Sequence, residues 1–466
     1  MPARSKFLLS FLIALISATS SKTIASPNDS TLIKISDSIF EEALTNGRAY
    51  EMLRVLTKDI GARLSGSPEA AAAVEWGRQE MERQGLENVR LQEIMVPHWI
   101  RGEQESAMIV GSKLVGNAPL TIAALGSSVG TPELGLTAEV VMVKSMQELR
   151  DLGEAAKGKI VFFNRAMDVT LGSTFSAYGG AVGQRGGGAV EAAKAGGVAA
   201  LVRSMAIGLD DFPHTGNMRY AEGVEKIPAA AISTQDAEFL AKVLAQEKNV
   251  RVNLRLSCET LPDKPSANVL GELRGSVRPE EVVVIGGHLD SWDLGEGAHD
   301  DGSGCVQSIE ALRILKTLGL RPKRTIRAVL FMNEENGLRG GREYAKAALE
   351  NGEKHFAAIE SDRGGFTPRG FGAGVADDAM FEKISSWNPL FSKFGPTHII
   401  RGGGGADIGP LRPQGTMTLG LLVDDHRYFD YHHSANDTFD KVSKRELELG
   451  AAFMALMGYL LANEGL

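Results

Sequence analysis

From Ser36 to about Gly85, apolar side chains return at helical spacing in "ISDSIFEEALTNGRAYEMLRVLTKDIG" and again in "SPEAAAAVEWGRQEMERQG", which predicts two or three helices. Shorter apolar runs follow, "VRLQEIMVPHWI", "ESAMIVG" and "LTIAAL", and these predict strands. Near Gly130 the texture changes. "LTAEVVMV", "GKIVFFNR", "VAALVRS" and "IPAAAIS" read as short buried strands, separated by glycine-rich connections and by the small-residue helix "AVEAAKAG". This block closes near Glu259 and looks self-contained. Within it, Gly179 to Gly188, "GGAVGQRGGG", lacks the lysine and hydroxyl residue of a phosphate cradle and reads as a flexible loop.

Beyond "LPDKPSANVLGEL" the order is strand, loop, helix, repeated: "EVVVIGGH", a helix from Gly302 to Leu318, "TIRAVLFMNEE", a helix from Leu338 to Leu349, then "FAAIESD". Such alternation predicts a three-layer α/β fold with a mostly parallel central sheet, here carrying an inserted smaller β/α domain. The implied division is a leader over 1–25, a first part of the main domain over 26–129, the insert over 130–259 and a second part of the main domain over 260–466. The closing "KRELELGAAFMALMGYLLANEGL" has an apolar run too short for a membrane span and predicts a helix docked on the core.

Composition narrows the classes. A formal net charge of -8 over 466 residues leaves no basic stripe, so nucleic acid is excluded as a partner. The N-terminal "MPARSKFLLSFLIALISATSSKTIAS" carries Arg4 and Lys6, an apolar core from Phe7 to Ile16, and small residues at Ala18 and Ala25. That pattern predicts a cleaved signal peptide, a secreted or periplasmic product, and no membrane span afterwards. Cys258 and Cys305 are expected to be buried free thiols rather than a disulfide.

Charge then collects where strands end. "GGHLDSWDLGEGAHDDGSG", residues 286–304, follows a buried run and brings His288, Asp290 and Asp300; Glu334 and Glu335 follow "AVLFMN", Asp362 follows "AAIES", and His432 and His433 follow "LGLLVDDHRYFDY". In open parallel sheets, ligands bind beyond these carboxyl ends. Unpaired carboxylates in such number repel one another unless a cation neutralises them. Nitrogen and oxygen donors of this kind suit zinc, and also manganese or cobalt, and a shared carboxylate can hold two ions. In His-x-Asp, Asp290 can accept the other ring N–H of His288. Adjacent glutamates in extended chain point opposite ways, which suits one ligand and one base. Asp293, Glu296 and Asp301 receive no metal role. The loop "RGGGGADIGPL" is expected to line the pocket, with Arg401 or Asp407 engaging a charged terminus. No serine-nucleophile elbow or cysteine–histidine signature competes.

The segments "GARLSGSPEA", "GGHLDSWDLGEGAHDDGSG", "NEENGLRGG", "ESDRGG", "GGGADIGPL" and "YHHSANDT", in this order, resemble the di-zinc family of aminopeptidases and glutamate carboxypeptidases from about residue 36 onward. The resemblance implies two zinc ions, with His288 and Asp362 on one, Glu335 and His433 on the other, and Asp300 bridging. It implies Glu334 as general base and a cis peptide between Asp300 and Asp301. It also implies an insert similar to a protease-associated domain, acting as a lid or as part of a homodimer contact. Many relatives have a tyrosine where this chain has His432, the residue then expected to help hold the oxyanion. The expected reaction is hydrolysis of a peptide bond near a chain end, with unblocked dipeptides as substrates. Rival readings are an amidohydrolase of acylated amino acids, a one-zinc acyltransferase resembling glutaminyl cyclase, and a receptor-like member without catalysis.

Overall fold

The computed structural model describes residues 27–464, so the expected signal peptide lies outside the described residues. The run Val282–Ile285 is fully or almost fully buried, and its side chains alternate between two faces. Val283 and Ile285 join a core with the helices Ser303–Thr317 and Lys444–Asn463. Val282 and Val284 point the other way, into a core completed by Tyr344, Ala345 and Ala348 of the helix Arg339–Glu350. This is the expected three-layer arrangement, and every residue of the neighbouring strand Arg324–Phe331 is buried within it.

The central sheet has eight strands. Arg324–Phe331, Arg278–His288, Lys354–Glu360 and Met417–Val423 lie side by side and parallel. Antiparallel pairings flank them: Glu87–Ile100 with Glu259–Leu273 on one side, Pro368–Gly374 against Met417–Val423 on the other. The parallel strands share one carboxyl edge, where all the charged strand ends emerge. The C-terminal helix is buried along nearly its whole length, and no helix among the described residues is long and apolar enough to cross a membrane.

A second eight-stranded sheet runs in the order Gly116–Leu120, Glu105–Ser112, Arg251–Leu256, Leu136–Val143, Ile160–Phe163, Ala199–Arg203, Ala229–Ile232, Ile122–Ala124. It therefore begins at Glu105, and 105–129, grouped by sequence with the catalytic part, belongs to this sheet because Glu105–Ser112 pairs antiparallel with Arg251–Leu256. Two short links, 101–104 and 257–258, connect the sheets. At this seam Arg101 pairs with Asp293 and Glu105.

The stretch expected to be a loop over 179–188 is helical instead, in Thr174–Ala181 and Gly183–Lys194. Ser173 caps the first of these helices, and Gln184 ties the second to both main-chain groups of Arg165. Gly188 packs so close to the Phe163 ring that a Cβ would come within 3.1 Å of it. Tertiary contact has outweighed the poor helix propensity of glycine. Cys258 and Cys305 are buried and free, as expected.

Candidate metal centre

His288 closes its strand with its main-chain N–H donating to Asp301 Oδ2 at 3.0 Å. Its Nδ1 lies 2.9 Å from the main-chain oxygen of Asp290 and its Nε2 lies 3.1 Å from Asp300 Oδ1. The ring is therefore oriented by the Asp290 carbonyl and not by its carboxylate, which is 4.0 Å away. That carboxylate turns the other way and accepts the N–H groups of Asn333 and Glu334 at 2.7 and 3.1 Å, fixing the loop that carries both glutamates.

The peptide between Asp300 and Asp301 is cis, as the family resemblance implied. The two carboxylates separate in purpose. Asp301 spends one oxygen on His288 N and the other on Gly304 N at the start of the helix Ser303–Thr317, whereas Asp300 faces the cavity. A Cβ on Gly304 would run into Ser361 O and the Asp301 carboxylate, so only glycine lets these segments close up. Asp437 accepts the N–H groups of His299 and Asp300 at 2.8 and 3.1 Å and holds the turn.

On the far side of Asp300 stands His433, in a left-handed backbone conformation at φ 61°. Its Nε2 lies 3.3 Å from Asp300 Oδ2 and 2.9 Å from Glu335 Oε2. His432 stacks on it with ring centroids 3.5 Å apart and places its own Nε2 3.7 Å from Asp300 Oδ2. Asp362 Oδ1 lies 3.7 Å from His288 Nε2. Donor atoms of three sets, His288 with Asp300 and Glu335, His288 with Asp301 and Asp362, and Asp300 with His432 and His433, lie within 4.8 Å of one another.

The electrostatics of the cluster fit a bound cation. Burial, with Asp362, Asp300 and Asp290 close by, pushes Glu334 up to about 8, and Glu335 is driven well above the usual carboxylate range for the same reasons. Burial and the like charge of Asp300 also raise Asp362. Burial holds His432 and His433 well below 6.5, so both are neutral imidazoles, the form that binds metal. For His288, burial acts downward but is outweighed by Asp300 and Asp362, which hold the proton on the ring above its ordinary range. Asp300 Oδ2 and Glu335 Oε1 are buried without a hydrogen-bond partner among the described residues. A metal would replace that proton, satisfy these oxygens and remove the mutual repulsion, so this donor set fits zinc.

The cavity above the cluster has a volume of about 610 Å³ and is lined by residues of both sheets' units. The second unit supplies Phe175, Tyr178, Arg185, Asn217 and Arg219. None of these was singled out from the sequence. Arg185 lay inside the supposed loop, and no periodicity links it to a histidine some 250 positions later. Tyr428, which lines the cavity beside Phe429 and His432, was also missed. Arg401 does not reach the cavity: it is exposed, pairs with Asp378 and lies over the Phe381 ring at 4.2 Å. The positive φ values of Gly402, Gly403 and Gly404 take this loop along a path that leaves Ala406 at the cavity. Asp407 is fully buried, and burial with the neighbouring Glu360 holds it well above the usual range.

Residues 268–457 match the model of peptidase family M28. Carboxypeptidase Q of Bos taurus is 40% identical over 418 residues, covering 89% of this chain and 85% of that one. Carboxypeptidase Q of Homo sapiens is 39% identical over 443 residues, covering 94% and 90%. The crystal structure of a peptidase M28 precursor from Shewanella amazonensis superposes with a TM-score of 0.89 at 34% identity, over 94% of this chain and 98% of that one. BSAP, a zinc aminopeptidase from Bacillus subtilis, shares the fold at a TM-score of 0.66 and 20% identity, over 90% and 96%. With donors from four strand ends gathered on one edge, and with identity extending through both sheets, the chain belongs to peptidase family M28.

Proposed function

We propose that this chain is an exported zinc exopeptidase that hydrolyses the terminal peptide bond of short peptides, unblocked dipeptides among them. One observation carries the reading: Asp300 turns Oδ1 to His288 and Oδ2 to His433, so one carboxylate faces two separate donor groups. That disposition supports a two-ion site with His288 and Asp362 on one ion, Glu335 and His433 on the other, and Asp300 shared. Asp301 is unsuited to metal because both its oxygens already accept main-chain N–H groups. Zinc held there supplies a Lewis acid that polarises the scissile carbonyl and acidifies water.

The chain's own groups do the rest. Glu334 is half-buried, lines the cavity and, among the described residues, hydrogen-bonds only through its main chain, so that with the neighbouring carboxylates neutralised by bound cations its own carboxylate is free to take a proton from the attacking water and return it to the leaving amine. His432, neutral and lining the cavity, is suited to polarise the carbonyl oxygen. The names of the relatives, carboxypeptidase and zinc aminopeptidase, agree with a metal-dependent exopeptidase. The block built on the second sheet corresponds, in this reading, to the protease-associated domain of the family, and residues 1–25 to a leader directing secretion or periplasmic export.

Elemental analysis of the purified protein, beside hydrolysis of a dipeptide panel with and without chelator, tests this directly. About two zinc per chain with chelator-sensitive release of amino acids is expected. Zinc without peptide cleavage would redirect the assignment to acylated amino acids, and absence of zinc after reconstitution would overturn the ligand set.

A further inference from the structure

The cavity over the donor cluster has an uneven charge inventory. Its carboxylates, Asp300, Glu334, Glu335 and Asp362, all lie in or beside the donor cluster. Three arginines line the same space. Arg185 is already committed, to the Tyr178 hydroxyl at 2.6 Å and the Thr215 carbonyl at 3.3 Å. Arg219 and Arg342 are not. Both are exposed, and each hydrogen-bonds only through its main-chain N–H, to Gly186 O and Leu338 O respectively. Neither guanidinium has a partner among the described residues. Other arginines near this rim are paired, Arg339 with Asp263 and Arg363 with Asp425.

The two free arginines come from different halves of the molecule. Arg219 follows Asn217 in the second unit, and Arg342 lies in the first turn of the helix Arg339–Glu350, just after the loop that carries Glu334 and Glu335. A guanidinium presents a planar fork that matches a carboxylate, and an unpaired one gives up no ion pair on binding. We infer that Arg219 and Arg342 together receive the C-terminal carboxylate of the substrate, with the scissile carbonyl over the donor cluster. The cavity then reads the carboxyl end of a short peptide, and its selectivity depends on both units being present. This inference rests on the exopeptidase reading above.

A non-cleavable alanyl-leucine analogue, with CH2–NH replacing the scissile amide, separates the two ideas. Its free acid, its C-terminal amide and a glutamyl counterpart blocked as the amide would be titrated calorimetrically into the zinc-loaded protein. The free acid is expected to bind about ten- to a hundredfold more tightly than its amide, the range of one or two charge-assisted hydrogen bonds. In the double variant Arg219→Gln/Arg342→Gln that ratio should fall to near one, while affinity for the leucyl amide, read in the same titration, controls for an intact pocket. An acid-to-amide ratio near one in the unaltered protein, or one that survives the double substitution, overturns the inference. So does a glutamyl amide that binds as tightly as the free acid, because the carboxylate recognised would then be a side chain. Turnover is scored separately: zinc-loaded protein that shows the acid preference yet releases no amino acid from alanyl-leucine refutes the peptidase reading and leaves the arginine pair standing.

Discussion

Thr215 and His433 hold each other twice: Thr215 N donates to His433 O at 2.9 Å, and Thr215 O lies 3.3 Å from His433 Nδ1. The second contact sets the tautomer, because an Nδ1 proton directed at a carbonyl leaves Nε2 as the free donor facing Glu335 and Asp300. His288 uses the same device on the opposite side of Asp300, with the Asp290 carbonyl at 2.9 Å. One histidine is thus oriented from within the catalytic unit and the other by the second unit. His214 extends the clasp, its Nδ1 lying 2.6 Å from His432 O.

Arg185 steadies that clasp by donating from Nη1 to Thr215 O at 3.3 Å, the same carbonyl that receives the Nδ1 proton of His433. Arg185→Met should therefore weaken zinc binding by about ten- to a hundredfold, the usual effect of losing an outer partner of a ligating histidine. Competition with a chromogenic chelator measures it. An unchanged zinc affinity would remove Arg185 from any such role.

Glu334→Gln keeps the shape of the side chain and removes its basicity. The main-chain anchor to Asp290 is untouched, so zinc content should match that of the unaltered protein. Turnover should fall by about a hundred- to ten-thousandfold. Metal analysis paired with kcat on one dipeptide decides the matter, and substantial residual turnover would put the base elsewhere.

Asp437 supports the turn that presents Asp300. Asp437→Ala leaves the N–H groups of His299 and Asp300 buried without their acceptor, at about 1–3 kcal/mol each. Denaturant unfolding of the chelated protein should show this loss, with Asp437→Asn milder because one acceptor oxygen remains. Equal stability of the alanine variant would mean that the turn is held by other contacts.

What the sequence exposed and what it hid follow from range. His288, Glu335 and Asp362 each sit where an apolar run stops, and burial makes such runs uniform, so the strand ends and their charges were legible one segment at a time. Asp290 was half read: its position mattered, but main-chain geometry gave the ring contact to its carbonyl and freed its carboxylate for the glutamate loop. The Thr215–His433 pairing spans more than two hundred residues and leaves no local trace. Gly183 to Gly188 looked like loop because propensity is a local quantity, whereas the helix there is fixed by packing on Phe163 and by Gln184 reaching Arg165. Arg401 was misplaced for a related reason, since a run of glycines fixes no direction for the chain.

The buried acids give the last prediction its sign. Without metal, burial holds Glu334 up to about 8 and both Glu360 and Asp437 up to about 7, and Asp300 and Asp362 outweigh burial to keep His288 protonated above its ordinary range. In the unfolded chain the same carboxyls titrate near about 4 and the imidazole near about 6.5. Between about pH 6.5 and about pH 8.5 the folded protein therefore carries protons that the unfolded chain has already released, and stability falls as pH rises through that window. His432 and His433 do not oppose this, because their depressed values affect stability only where an unfolded imidazole takes up a proton, below about pH 6.5. Zinc acts in the opposite sense: it competes with the protons on Glu335, Asp362 and His288, so the stabilisation it provides grows as pH rises. Thermal melts of chelated and zinc-loaded protein at the two ends of the window should show the chelated Tm lower at the alkaline end and the zinc-induced shift larger there. A chelated Tm that rises across the window, or a zinc shift that shrinks, would mean that the acids at this strand edge are already ionised without metal, and the case for a cation drawn from their mutual repulsion would fail.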